Sequence, residues 1–517
     1  MIRSHFIQQL DDPHHQWDVI VIGGGATGLG TAVESAGRGY RTLLLERDDF
    51  ASGTSSRSTK LIHGGVRYLE QGNLVLVMDA LRERGYLLRN APHLVHDLPF
   101  VVPLYEWWEG PFYGAGLTLY DLLAGRLGMA HSRHLTREET IAAVPTVVPD
   151  GLRGGIVYHD GQFDDARLAI SLARTLVDLG GVALNYCQVT RFLKTGGITT
   201  GVAVLDHESG REYRLQAKVV INATGVFTDT VRMLDDSAVA PIVTPSQGVH
   251  LVLDRSFLPG NSAIMVPHTD DGRLLFAIPW LDRVLVGTTD TPVTNIAAEP
   301  CPGADEIEFL LEHVGRYLVS RPERTDILSV FAGLRPLVTA NHGGRAASLS
   351  RDHLILVSQS GLVSVTGGKW TTYRQMGQDT IDRAAVVGGL EPRSSNSVQQ
   401  RIHGWQTTQV DDQFGVYGTD SEKLRDLAAS IPSGFERLHP DLPYCVAEVV
   451  WAARHEFART ITDLLARRTR ALFLDAAASM TMAPLVAELM AAELDRDELW
   501  QQQQVDAFRS LAIHYLP

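Results

Sequence analysis

Read as a pattern of apolar and polar positions, the chain begins its regular structure at Asp18–Ile22, a β-branched apolar run that predicts a buried parallel strand. A helix-compatible segment follows, then a second apolar run, Thr42–Leu45. Strand-like runs return at Gly154–Tyr158, Gly181–Tyr186, Gly201–Leu205, Lys218–Asn222, Leu354–Val357 and Leu362–Thr366. Helical periodicity is clearest over Ala166–Leu179, where Asp164 and Asp165 stand as N-cap and first-turn residues. Helices alternating with strands predict an α/β nucleotide domain built from discontinuous pieces.

Two stretches break that rhythm. Residues 91–150 and 241–325 are richer in proline, aromatics and alternating strands, among them Gly248–Leu253, Leu274–Ile278 and Val284–Gly287. They predict an antiparallel-sheet substrate subdomain set between the pieces 16–90, 151–240 and 326–394 of the nucleotide domain. From 395 to 517 the pattern turns helical, with apolar residues at helical spacing over Tyr444–Arg468 and Ala471–Leu494. Pro484 is expected to split the second of these into two helices. Helix packing accounts for this third part, and no catalysis is assigned to it. No uninterrupted apolar run reaches the ~18 residues of a spanning helix. The segment up to Gln16 is polar and His-rich, so no secretory leader is expected.

Composition narrows the picture in three ways. The 517 residues suffice for two or three domains with their own cores. A formal net charge of −14 argues against nucleic-acid binding but leaves room for a local cationic pocket. Cys187, Cys301 and Cys445 are too few and too scattered for a disulfide framework or a metal site, and fit a reducing compartment.

The chemistry starts at the turn after the first strand. Gly23, Gly25 and Gly28 form G-x-G-x-x-G, which permits a tight turn and close approach of a pyrophosphate to bare backbone. Ala26 and Thr27 begin the helix, whose N-terminal amides favour phosphate. Glu46, beside Arg47, lies about 20 residues past the loop, where a carboxylate can take ribose hydroxyls. Ser55, Ser56 and Ser58 make a hydroxyl-rich loop suited to phosphate oxygens, or an ordinary polar loop. His63, Gly64 and Gly65 suggest backbone packed against something flat or charged. The small-residue turn Ala223-Thr224-Gly225 would return the chain to the dinucleotide with little bulk. Gly333-Leu334-Arg335 and Gly367-Gly368-Lys369-Trp370-Thr371-Thr372 each set a cation on a glycine-bearing turn. One such cation is usually a solvated surface charge. Arg67, Arg335, Arg351 and Lys369 together point to a phosphate-bearing substrate.

The strings GGGATGLG, SSRSTKLIHGGVRYLE, DGQFDDARL, NATG, PWLDRVLVGTTDTP, GLRPL and GGKWTTYR occur in an order and spacing that resemble the FAD-dependent glycerol-3-phosphate dehydrogenases, from about residue 16 to near 480. The resemblance implies a fold like that of D-amino-acid oxidase, with a helical C-terminal domain and FAD bound non-covalently. It implies that Gly23, Gly25, Gly28 and Glu46 hold the ADP half, and that Ser55, Ser56 and Ser58 flank the pyrophosphate. Ala223–Gly225 and Gly367–Thr372 would line nucleotide and flavin. Arg67, Tyr68, His250, Arg335, Arg351 and Lys369 match the substrate pocket. Before His250 the chain reads SQGVH rather than a G-S-H-like string, and no D-x-D-x-D-G calcium loop is present.

The implied reaction oxidises the C2 alcohol of sn-glycerol 3-phosphate to dihydroxyacetone phosphate by hydride transfer to FAD. His250, Arg335 and Lys369 are the catalytic candidates. His250 is proposed as base because imidazole titrates near working pH, or else is a histidine bonded within the substrate subdomain. The resemblance points to a membrane quinone as acceptor and to attachment at the cytoplasmic face of the inner membrane; it leaves a homodimer open. The aromatic run Tyr105–Tyr120 suits either a membrane–water interface or subdomain core. The nearest alternative is an oxidase passing electrons to oxygen, acting on glycerol 3-phosphate or on an amine or amino acid.

Overall fold

In the computed structural model, which describes residues 2–12, 15–65, 74–125, 128–339, 349–350, 353–407 and 412–517, two large sheets face one cavity. The first sheet forms where the apolar runs predict it. Gln16–Ile22 pairs in parallel with Thr42–Leu45 on one side and Glu212–Asn222 on the other, and Val182–Leu184 and Val363–Gly367 extend it outward. Parallel strands buried on both faces require helices on them. Ala26–Gly37 supplies one, packed between Asp165–Asp178 and Tyr373–Val387. Asp164 caps Asp165–Asp178 by accepting from the Arg167 amide at 2.8 Å.

The second sheet is mostly antiparallel. Its centre is Val243–Asp254, flanked by Ile327–Thr339 and Arg283–Gly287, and it continues through Leu275–Trp280, Ala263–Val266, Val95–Leu104 and Gly154–Phe163. Two of these strands depart from the expected division. Gly154–Phe163 and Ile327–Thr339 fall within 151–240 and 326–394, yet both belong to this sheet. Gly154–Phe163 runs antiparallel to Val95–Leu104 from end to end, Leu104 opposite Gly154 and Val95 opposite Phe163. Periodicity along one strand identifies the strand but not its neighbour, so the long-range pairing was not legible.

The C-terminal part is helical, but its breaks fall elsewhere than predicted. Tyr444–Arg468 is not one helix: a strand, Leu442–Cys445, leads into Val446–His455, and a π-helix covers Asp463–Arg468. Pro484 does not split its segment either; Ala476–Leu494 runs through it, and the break comes earlier at Asp475, whose backbone is extended and whose side-chain carboxylate caps the new helix by accepting from the Ala478 amide. Ala476–Leu494 is the one helix among the described residues long and apolar enough to cross a membrane. In the fold it buries Met482, Val486 and Met490 in a core shared with Phe508. The aromatic run becomes the helix Glu109–Ala124, with Leu117 and Tyr120 turned inward and Trp107, Trp108 and Phe112 on the surface.

Candidate active site

The cavity begins at the glycine turn, and the turn leaves no room for side chains. Gly23 has φ +108°, and a Cβ there would stand 2.6 Å from the Ala223 carbonyl oxygen. At Gly28 an added Cβ would come 1.9 Å from the Gly23 carbonyl oxygen. At Gly25 it would meet Ser55 Oγ at 2.9 Å, and that hydroxyl accepts from the Ala26 amide at 2.9 Å. Gly25 caps the helix Ala26–Gly37 without a side chain, so first-turn amides are left for an anion. The glycines thus make a bare cradle of the kind a pyrophosphate needs.

Glu46 closes the other side of the cradle. Its carboxylate accepts from the Gly24 amide at 2.6 Å and the Asp48 amide at 2.8 Å. Burial pushes this carboxyl up to about 7, although both amides pull it down. Arg47 lies over the Phe227 ring and pairs with Asp48 at 2.8 Å.

From the cradle the cavity runs on as one space of about 1270 Å³ to His250, Arg335 and Lys369. That exceeds the ~300–1,000 Å³ of an ordinary small-molecule pocket and leaves room for a dinucleotide and a small substrate together. Most of the expected residues line it: Gly23, Gly25, Ala26, Thr27, Glu46 and Arg47 at one end, and Ser55, Ser58, His63 and Gly65 along one wall. Ala223, Thr224 and Gly225 face it from the strand end, with Gly333, Gly367, Gly368, Lys369 and Thr371.

Four expected residues lie behind the wall. Gly28 packs on Gly23; the Ser56 carbonyl accepts from Lys60 Nζ and Arg470; the Gly64 amide donates to the Tyr120 hydroxyl at 2.8 Å; the Thr372 hydroxyl donates to the Lys369 carbonyl at 3.2 Å. The Ser58 hydroxyl, although at the cavity, donates to Asp165 at 2.7 Å. Arg67, Tyr68 and Arg351 lie outside the described residues.

At the far end Arg335 is held in place by acceptors, Asp290 at 3.0 Å, the Thr288 hydroxyl at 3.1 Å and the Thr289 carbonyl at 3.0 Å. His250 is buried, stacked on Phe331 with ring centroids 4.9 Å apart, and its Nε2 lies 2.9 Å from Thr59 Oγ1. Burial, with the charges of Lys60 and Arg335, pushes His250 well below its usual range. Burial and these two cations thus disfavour the protonated ring, against the expectation that it titrates near working pH.

Several residues of this end were not singled out from the sequence. Thr59 and Lys60 stand inside a string that was, but neither carries a motif of its own. Asp165 does more than begin a helix: it meets Lys60 at 2.7 Å and Arg470 at 3.3 Å, all three buried. Two consecutive aspartates where one suffices as a cap were the available signal. The helical part also reaches the cavity, where Thr460, Thr462, Arg467 and Gln504 form part of its lining. Arg467 and Arg468 converge on buried Asp49 at 2.5 and 2.6 Å. Burial alone would push the Asp49 carboxyl up; the two guanidiniums outweigh it and hold it low.

Residues 18–374 match the family described as FAD dependent oxidoreductase, which sets the class. Residues 363–504 match the C-terminal domain of alpha-glycerophosphate oxidase. The chain is 41% identical over 527 residues to the mitochondrial glycerol-3-phosphate dehydrogenase of Mus musculus, covering 95% of this chain and 72% of that one. It is 39% identical to glycerol-3-phosphate dehydrogenase SDP6 of Arabidopsis thaliana, covering 94% of this chain and 84% of that one. The FAD-complexed glycerol-3-phosphate dehydrogenase of Bacillus halodurans superposes with a TM-score of 0.81 at 28% identity, covering 100% of this chain and 98% of that one. The chain belongs to the FAD-dependent glycerol-3-phosphate dehydrogenase family.

Proposed function

We propose that this protein oxidises sn-glycerol 3-phosphate to dihydroxyacetone phosphate with FAD as cofactor and passes the electrons to a membrane quinone. The observation that carries the reading is the continuity of one cavity from the glycine cradle to His250, Arg335 and Lys369. The cradle fits FAD: the Gly23–Gly25 turn and Ala26 would hold the pyrophosphate, Glu46 the ribose, and Ala223–Gly225 with Gly367–Thr371 the remainder. When bound, FAD supplies the hydride acceptor at the substrate's C2.

The chain's own groups do the rest. Arg335 and Lys369 place positive charge where an anionic substrate and a developing alkoxide need it. Asp290 fixes the direction of the Arg335 guanidinium, so that the charge is preorganised. Neutral His250 is in the form that can take the C2 hydroxyl proton as the hydride departs.

Membrane attachment is supported by the surface of Glu109–Ala124 and the turn before it. Trp107 is 74% exposed, Phe112 53% and Leu122 73%, and Val75 of the neighbouring helix Leu74–Asn90 is 70% exposed. Exposed aromatic and aliphatic side chains along this helix and its neighbour suit an interfacial depth in a bilayer.

The deciding experiment is anaerobic titration of the FAD-loaded protein with glycerol 3-phosphate, followed by flavin absorbance near ~450 nm. Bleaching by this substrate and not by amino acids is the expected result; an unbleached flavin refutes the substrate. Because one matched family model is that of an oxidase, hydrogen peroxide is measured in aerated turnover. A stoichiometric yield would make oxygen the acceptor in place of quinone.

A further inference from the structure

Three consecutive residues, Ser58, Thr59 and Lys60, send their side chains to different places. Lys60 takes a left-handed backbone with φ +64°, uncommon for a residue with a Cβ. Thr59 Oγ1 reaches His250 Nε2, while the Lys60 side chain is wholly buried. Its Nζ donates to the Ser56 carbonyl at 2.9 Å, the Ser58 carbonyl at 3.1 Å and Asp165 at 2.7 Å. Asp165 also accepts from the Ser58 amide at 3.0 Å and hydroxyl at 2.7 Å. The loop is therefore pinned on both sides of Thr59 by one carboxylate. Arg470, from the helical part, completes the node through Asp165 and the Ser56 carbonyl.

The same ammonium lies close to the aromatic ring under His250. Nζ is 5.2 Å from the centroid of Phe331, the ring on which His250 stacks, and 5.3 Å from that of Trp280. His250 Nδ1 is buried with no hydrogen-bond partner among the described residues. A protonated ring needs acceptors at both nitrogens, and here only Nε2 has one. A buried ion pair is a weak stabiliser, because desolvation offsets its attraction. Its effect on the neighbouring ring is the more telling consequence.

We propose that Lys60, anchored by Asp165 and Arg470, is a positioning residue that fixes Thr59 against His250 Nε2 and keeps His250 an uncharged proton acceptor. The inference rests on the reading that His250 meets the substrate. The cations whose charge acts on His250 are Lys60 and Arg335; Asp165, Asp164 and Arg470 act in turn on Lys60, and Asp290 pairs with Arg335. Burial pushes Lys60 down to about 8 against the pull of Asp165, so Lys60 carries its charge below that pH.

The test uses FAD-loaded protein with isotope-labelled histidines, the His250 signal being assigned by its loss in His250→Asn. In the wild type this signal should stay in its neutral form from about pH 5 to 8, the range in which an ordinary histidine titrates. In Lys60→Met it should begin to titrate inside that window, and the acid limb of the flavin-reduction rate should move up by about one pH unit, with KM little changed. Thr59→Val should lower kcat about tenfold without moving the limb, as loss of a hydrogen bond to the ring predicts. A wild-type His250 that titrates normally overturns the proposal, as does a folded Lys60→Met protein with an unmoved profile. If Lys60→Met does not fold, the wild-type titration and Thr59→Val decide. Failure of glycerol 3-phosphate to bleach the wild type is a separate result, which sinks the substrate and not the charge state of His250.

Discussion

The two ends of the cavity are made of different material. The nucleotide end is backbone: a turn without side chains between Ile22 and Ala26, helix amides, and one carboxylate at the end of the next strand. The substrate end is side chains brought from far apart, His250 from Val243–Asp254, Arg335 from Ile327–Thr339, Lys369 after Val363–Gly367, with Arg335 held by Asp290 and the buried Lys60–Asp165 pair close by His250. A backbone site cannot tolerate an added atom. A site of buried charges tolerates small changes of shape but not the loss of a counter-charge.

The largest effect should come from adding one carbon to the cradle. Gly28→Ala places a Cβ 1.9 Å from a backbone oxygen that cannot move without the turn. Overpacking of this kind costs about 1–3 kcal/mol or more, and here the displaced atoms are those of the cradle itself. Purified Gly28→Ala should carry almost no FAD, read as the ratio of flavin to protein absorbance. Gly116→Ala is the control, since its Cβ meets nothing within 4 Å and helix propensity favours it. Full FAD occupancy in Gly28→Ala would show that the turn is not the cradle.

The counterpart on the charged side is Asp49→Asn. It leaves Arg468 buried without its carboxylate and Arg467 with Asp463 alone, and breaking such a buried pair costs about 3–5 kcal/mol. Urea unfolding of the variant should show that loss as a lower midpoint at unchanged slope. A change below about 1 kcal/mol would mean that water or another acid takes over.

Glu46 lies three residues from Asp49 and shifts the other way, which sharpens the contrast. Its folded form favours the proton, so its contribution to stability is whole below the usual 4.5 and is lost as pH rises through about 7. Asp49 has the opposite sign: its contribution is present above the usual carboxylate value and lost as pH falls below it. In FAD-free protein, Glu46→Gln should flatten the decline in stability between pH ~4.5 and ~7, a slope of up to about 1.4 kcal/mol per pH unit. The same change should weaken FAD about tenfold by removing a charged acceptor for ribose. A variant whose pH curve matches the wild type would place the ionisation elsewhere.

This difference in material also explains what the sequence disclosed. Gly23, Gly25, Gly28 and Glu46 are readable because each role depends on residues within one βαβ unit, where spacing fixes geometry. Gly154–Tyr158 was legible as a strand, but neither its run to Phe163 nor its place in the second sheet was, since its partner is chosen by tertiary packing. Lys60, Asp165 and Arg470 meet across some 400 residues of chain, and no local pattern encodes that meeting. Composition still held a trace: Arg467, Arg468 and Arg470 crowd a segment with buried apolar neighbours, and buried cations require acids. Pro484 misled because a proline removes one helical bond without always ending the helix, and the neighbouring core holds Ala476–Leu494 together.

The smallest effect on chemistry should come from the surface that touches neither end. Trp107 and Trp108 precede Glu109–Ala124, and Trp108 packs edge-on against Phe112 and His268. Trp107 is 74% exposed but Trp108 only 40%, so replacing both by serine should destabilise by about 0.5–3 kcal/mol, chiefly through the packed Trp108 ring. Transfer to a bilayer interface is where their loss should register, since each ring contributes through its buried area there. The double variant should therefore keep its turnover with a soluble dye as acceptor while sedimenting less with vesicles of mixed zwitterionic and anionic lipid. Turnover with a quinone dissolved in those vesicles should fall in parallel with binding. Equal sedimentation of variant and wild type would move the membrane contact away from this helix, and a fall in dye turnover would show that the helix supports the cavity after all, through Tyr120 and its bond to Gly64.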